Sequence, residues 1–174
     1  MEKKQLAKSV LKVSHLTGSF LLRSGKTSNE YFDKYQFESR PELLKAIADH
    51  MIPLLPKDFD LLGAMEMGGL PIATAIALQT GKEMVFIRKK SKEYGTCKFA
   101  EGPGLKGKKI CMIEDVITTG GQVVLSTAML REQGAEITDV MCVIDRSEGD
   151  HSRLENGGLK LHSLFTMEEL KAHQ

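Results

Sequence analysis

Ile110-Cys111-Met112-Ile113-Glu114-Asp115-Val116-Ile117-Thr118-Thr119-Gly120-Gly121-Gln122 decides how the rest of this chain is read. Residues 110–113 are a short apolar run of buried-strand length. The run ends on two adjacent carboxylates, and two threonines and two glycines then open a helix. The glycines let the backbone turn so that successive amides point inward. The helix N-terminus adds free N–H groups and a positive dipole end, which suits a phosphate monoester. Thr118 and Thr119 can add hydroxyl donors. The carboxylates would repel that phosphate, so they face something else. Vicinal sugar hydroxyls or a hydrated Mg²⁺ are suitable partners. Together the two halves describe a site for a ribose 5-phosphate.

Working outward, apolar strands alternate with helices. Upstream, Leu6, Val10 and Val13 recur at helical spacing. Residues 19–22 and 31–37 read as two short strands. Ser39-Arg40-Pro41-Glu42 reads as a helix start, with Ser39 as N-cap and Glu42 closing a capping box. Leu43, Leu44, Ile47, Ala48 and Met51 give that helix its apolar face, and Pro53 and Pro56 end it. From about Asp60 a strand at 61–65 leads through a glycine turn to a helix at 71–80, stopped by Gly81. A strand at 84–87 follows, then a polar loop and the 110–113 strand. The helix after it runs from 122 to 133 and stops at Gly134. Strands at 140–144 and 159–164 come next, and Thr166-Met167-Glu168-Glu169 caps a last short helix. This order predicts an α/β fold with a central, mostly parallel sheet flanked by helices. Ligands of such sheets sit beyond the carboxyl ends of the strands. The turns after Met65, Ile87, Ile113 and Ile144 are therefore expected to line the site.

Composition narrows the function classes. With 174 residues the chain fits one domain. A net charge of +1 supplies no global field for nucleic acid or a membrane surface, so any anion site must be local. No apolar run approaches membrane-spanning length. The N-terminal residues lack the apolar stretch of a signal peptide, and Cys97, Cys111 and Cys142 are too scattered for a disulfide framework. Reduced thiols in a cytoplasmic protein are expected. Gly102-Pro103-Gly104-Leu105-Lys106-Gly107 spells a dinucleotide fingerprint and most of a P-loop. It precedes a strand, whereas both motifs must follow one, so a loop with a turn is expected instead. His15, His50, His151, His162 and His173 show no metal-ligand spacing. The methionines read as core filler.

The string Glu114-Asp115-Val116-Ile117-Thr118-Thr119-Gly120-Gly121 resembles the phosphoribosyl pyrophosphate (PRPP) motif of the type I phosphoribosyltransferases. The branch of that family that uses orotate matches over nearly the whole chain. The resemblance implies a single phosphoribosyltransferase domain. Residues 1–58 would form a small N-terminal hood contributing to the base site, and residues 59–174 the PRPP-binding core. Glu114, Asp115, Val116, Ile117, Thr118, Thr119, Gly120, Gly121 and Gln122 would then hold PRPP. Gly18 to Asp33 is similar to the family's N-terminal segment, in which Arg23 would reach PRPP and Tyr31 and Phe32 would hold orotate together with Thr118. Glu66, Met67, Gly68 and Gly69 match the pyrophosphate loop. Some members carry a Tyr-Lys pair there, and Met67-Gly68 implies binding mostly through the main chain. Arg88-Lys89-Lys90-Ser91-Lys92-Glu93-Tyr94 places four cations in five residues, which repel one another unless an anion neutralises them. It is similar to the mobile catalytic loop, with Arg88, Lys89, Lys92 and Tyr94 toward pyrophosphate. Arg146, in Asp145-Arg146-Ser147, would pair with the orotate carboxylate, since its planar fork suits that geometry.

The reaction so implied transfers phosphoribose from PRPP to orotate, with Lys92, Asp115 and Glu114 as catalytic residues. Mg²⁺ is expected as cofactor, held mainly through PRPP with no dedicated protein ligand set. A homodimer is expected, with the 88–107 loop of one subunit acting in the site of the other. A phosphoribosyltransferase for another base, or a non-catalytic PRPP- or nucleotide-binding regulator, remains the alternative.

Overall fold

The computed structural model describes residues 1–21, 25–90 and 99–172. Its main sheet comprises β3 (Leu61–Met65), β4 (Glu83–Ile87), β5 (Ala100–Glu101), β6 (Lys109–Ile117), β7 (Glu136–Asp145) and β8 (Lys160–Thr166). They lie in the order β5-β4-β3-β6-β7-β8, parallel throughout except for β5 against β4. Side chains leave β6 alternately. Ile110 and Met112 enter one apolar layer, Cys111 and Ile113 the other. A strand covered on both faces reads as an unbroken apolar run, which is the pattern of residues 110–113.

One layer is closed by α1 (Lys3–Ser14), α3 (Pro41–Met51), α4 (Gly69–Thr80) and α7 (Met167–Lys171), through Leu6, Val10, Ile47, Ile72 and Leu170. The other is closed by α5 (Gly121–Glu132) and α6 (Ser152–Asn156), through Val123, Leu130 and Leu154. Leu6 and Val10 share their layer with Leu62 and Ile113 of the sheet, so α1 packs as part of the same core. At the C-terminal end the foreseen cap forms. Thr166 Oγ1 accepts from the Glu169 amide at 3.0 Å, and the Glu169 carboxylate accepts from the Thr166 amide at 2.8 Å.

Three sequence expectations need correction. The strand foreseen at 31–37 ends early. β2 (Thr27–Phe32) pairs antiparallel with β1 (His15–Leu21) in a separate two-stranded sheet, and α2 (Tyr35–Glu38) follows. Asp33 turns the chain, because its carboxylate accepts from the Tyr35 amide at 3.1 Å and from the Gln36 side chain at 3.0 Å. Ser39 is not the N-cap of α3. It ends α2, and Arg40 takes the cap position in an extended conformation with no side-chain bond to the helix amides. A residue before proline is held extended, and Pro41 imposes that on Arg40. Finally, β6 does not stop before the carboxylates. β3 pairs with it only as far as Ala64 opposite Ile113, but β7 continues to pair as far as Asp145 opposite Ile117. Glu114 and Asp115 thus lie within a strand that one neighbour has already left. The short strand β5 and helix α6 had no clear signal in the sequence.

That departure opens the site. β3 leads through α4 to β4 on one side, and β6 leads through α5 to β7 on the other. The chain therefore diverges between the carboxyl ends of β3 and β6, the crevice where open α/β sheets take their ligands.

Candidate active site

The crevice is a cleft of about 640 Å³. Glu114, Asp115, Val116, Ile117, Thr118, Thr119, Gly120, Gly121 and Gln122 line one side, and Glu66, Met67 and Lys89 the other. Gly120 has φ 67°, a left-handed conformation that other residues resist, and it stands at the N-cap of α5. The exposed Thr118 and Thr119 precede it, so hydroxyls and helix amides converge as a phosphate cradle would require. Opposite, the Glu66–Met67 peptide bond is cis, and Glu66 Oε1 accepts from the Lys89 amide at 2.6 Å. Gly68 and Gly69 do not line the cleft; they are its packing floor. A Cβ on Gly69 would meet the Ile113 carbonyl oxygen at 2.2 Å, and one on Gly68 would meet Asp115 Oδ2 at 1.5 Å.

The acid pair is electrostatically divided. Asp115 is fully buried, and Lys34 Nζ stands 2.5 Å from its Oδ2. Burial alone would raise the Asp115 carboxyl. Hydrogen bonds from Glu114 and Lys34, with the Lys34 charge, outweigh it and hold Asp115 below the usual carboxylate range. Burial, reinforced by the Asp115 charge, pushes its neighbour Glu114 well above that range. Burial and the same charge push Glu38 up to about 9. The negative charge of this cluster is therefore favoured on Asp115, between two carboxyls shifted upward and one ammonium.

A second cleft, of about 550 Å³, brings together Tyr31, Phe32, Thr118 and Arg146, the four residues expected at the base site. Lys34, Val116 and Thr118 line both clefts, so the two adjoin. Tyr31 is held on β2 by stacking with Phe20 at 5.5 Å. The Arg146 amide donates to the Ile117 carbonyl at 2.7 Å, which fixes the turn after β7 against the end of β6. Asp145 steadies that turn, accepting from the Ser147 amide and facing His151 Nε2, each at 2.8 Å. The Arg146 side chain remains exposed.

Arg88 departs from expectation. Its Nε lies 3.8 Å from Glu101 Oε1, and it does not line the first cleft, whereas Lys89 does. Arg23, Lys92 and Tyr94 lie outside the described residues. Sequence reasoning missed Lys34 and Tyr35, both on the cleft wall. Their signal was Asp33, a turn-forming residue directly after the aromatic pair.

A parallel sheet with a phosphate cradle and an acid pair at its switch point defines a phosphoribosyltransferase, and residues 36–155 match the phosphoribosyl transferase domain family. The chain is 50% identical over 167 residues to the orotate phosphoribosyltransferase of a Nocardioides species, covering 96% of this chain and 93% of that one. A crystal structure of the Mycobacterium tuberculosis orotate phosphoribosyltransferase with Fe(III) dicitrate superposes with a TM-score of 0.86, at 27% identity, over 97% of this chain and 98% of that one. A structure of the same enzyme with PRPP gives 0.81 at 25% identity, over 97% and 98%. The chain belongs to the orotate phosphoribosyltransferases.

Proposed function

We propose that this chain transfers the 5-phosphoribosyl group of PRPP to orotate, giving orotidine 5′-monophosphate and pyrophosphate. The observation that carries this is the junction of the two clefts. The cradle and acid pair share Lys34, Val116 and Thr118 with the pocket that gathers Tyr31, Phe32 and Arg146. The 5-phosphate sits on the amides and hydroxyls of residues 118–121. Arg146 takes the orotate carboxylate in a charge-assisted pair. The N1 proton of orotate passes to solvent, the C1–oxygen bond of PRPP breaks with its electron pair leaving on pyrophosphate, and the N1 lone pair bonds to C1. No strong proton donor is needed. Lys89, with Lys92 from the loop, stabilises the charge developing on pyrophosphate.

Mg²⁺ would arrive on the oxygens of PRPP. The Glu66 and Glu114 carboxyls at the cleft suit the waters of such a hydrated ion. When bound, it neutralises charge on the leaving group. A homodimer that shares its catalytic loops is part of the proposal. Leu78 on α4 and Phe86 on β4 are 84% and 46% exposed on adjacent elements, an apolar face that a second copy could cover. A cytoplasmic location agrees with the buried, unpaired thiols of Cys111 and Cys142. Among the described residues no helix is long and apolar enough to cross a membrane.

Loss of absorbance in the orotate band on mixing with PRPP and Mg²⁺ tests the transfer. Purines and uracil should give no product, and excess EDTA should stop the reaction. Arg146→Ala should raise the orotate KM by about 30–150-fold, the loss of about 2–3 kcal/mol expected for one charge-assisted contact. PRPP binding should change little. An unchanged orotate KM would remove Arg146 from the base site, and an inert wild-type protein would overturn the transfer itself.

A further inference from the structure

The pyrophosphate-loop residues Glu66, Met67, Gly68 and Gly69 carry no cation, and one side of the cleft must nonetheless face a highly anionic ligand. Among the described residues that line this cleft, the cations are Lys34 and Lys89. Lys34 comes from outside the sheet, on the short connection between β2 and α2. Its ammonium reaches over that loop. The Asp115 carboxylate with which it pairs at 2.5 Å lies directly on Gly68, where a Cβ would meet Oδ2 at 1.5 Å. The two partners differ in access. The Asp115 side chain has no exposed surface, while Lys34 keeps 33% of its own. Lys34 is also on the wall of both clefts.

Resting on the PRPP-site reading above, we propose that Lys34 is itself a PRPP-binding residue, supplying from the hood the cation that the pyrophosphate loop lacks, with buried Asp115 as the anchor that holds its ammonium in place. An anchored ammonium loses less freedom on binding than one on a free lysine stem. Burial would lower the Lys34 pKa, but its hydrogen bond to Asp115 and the Asp115 charge outweigh that and raise it, so the group stays cationic. The Tyr35 ring, whose centroid lies 5.3 Å from Nζ, adds a cation–π contact to the same ammonium.

The test is calorimetric binding of PRPP with Mg²⁺ to wild type, Lys34→Met, Lys34→Arg, Asp115→Asn and the Lys34→Met/Asp115→Asn double variant. Lys34→Met should weaken PRPP about tenfold, and Lys34→Arg by no more than about threefold, since it keeps the charge. If Lys34 only neutralised Asp115, removing it after Asp115→Asn would cost nothing. A ligand-binding Lys34 instead makes the double variant at least about threefold weaker than Asp115→Asn alone. Equal affinities of those two, or an unaltered Lys34→Met, overturn the proposal. The comparison holds even if Lys34→Met fails to fold with Asp115 unpaired, because the double variant buries no lone charge. A wild-type protein that does not bind PRPP would instead refute the site assignment itself.

Discussion

Glu38 is a carboxyl with only 6% of its surface exposed, beside an ionised Asp115. Its ordinary value of 4.5 rises to about 9 in the folded chain, through burial first and the Asp115 charge second. Between those values the folded state holds a proton that the unfolded state releases. The stabilising proton is fully present below pH 4.5, and its contribution is lost as pH rises toward 9. Glu38→Gln keeps the shape and a hydrogen-bond donor but removes the titration. Its Tm relative to wild type should therefore increase from pH 5 to pH 8, by about 2–4 °C for each kcal/mol gained in a chain of this size. Scanning fluorimetry at the two values checks it, and an equal difference at both would show that Glu38 titrates normally. Nothing in Phe37-Glu38-Ser39 announces this. A glutamate next to a helix start reads as a solvated acid, and only the inward turn of α2 buries it. The same turn puts Lys34 on the cleft. The groups on β6 were legible because strand, acids, threonines and glycines are contiguous in sequence. Lys34 and Glu38 reach the same place from some eighty residues upstream, and that meeting is a tertiary fact.

Elements that pack on both faces announce themselves by composition, and β3, β4, β6, β7 and β8 were all visible as apolar runs. Their lengths were not. β6 and β7 extend beyond their apolar stretches because each supplies the other's backbone partners, a pairing with no signature in either strand alone. β5 escaped notice because two residues carry no period. Close approach of elements is similarly silent until built. Glycine at 69 looks like turn chemistry, yet its role is to let the start of α4 touch β6. Gly69→Ala drives a Cβ onto the Ile113 carbonyl, so it should destabilise by about 1–3 kcal/mol and weaken PRPP binding as the cleft floor shifts. A Cβ at Gly104 would meet nothing within 4 Å, and its φ is not left-handed, so Gly104→Ala should change stability by less than about 0.5 kcal/mol. Denaturant titration of both variants separates them, and equal midpoints would show that the approach at Gly69 relaxes freely.

At the scale of the whole molecule, the layers, sheet direction and site edge followed from alternating strands and helices. Assembly did not, because an apolar residue such as Leu78 or Phe86 reads as core in sequence and is seen to be exposed only once α4 and β4 are built. In the proposed dimer each site combines Asp115 of one subunit with Lys92 of its neighbour. Lys92→Ala and Asp115→Asn subunits, each inactive alone, should therefore complement when mixed under exchange. Random pairing makes about half the dimers mixed, each with one intact site, so about a quarter of wild-type specific activity should return. Proven exchange with no recovered turnover would leave each chain building its own site.

Among the described residues the hairpin β1–β2 shares no sheet hydrogen bonds with the main sheet, yet it carries Tyr31 and Phe32, while the cradle belongs to β6 and α5. On the proposed assignment, the aromatic side of acceptor recognition thus lies on a stretch of chain apart from the cradle, with Lys34 and Thr118 on the wall that the two clefts share. Such a layout lets the hairpin's aromatic pair be exchanged for another acceptor's contacts without disturbing the phosphate cradle, provided that Lys34 just beyond it is kept.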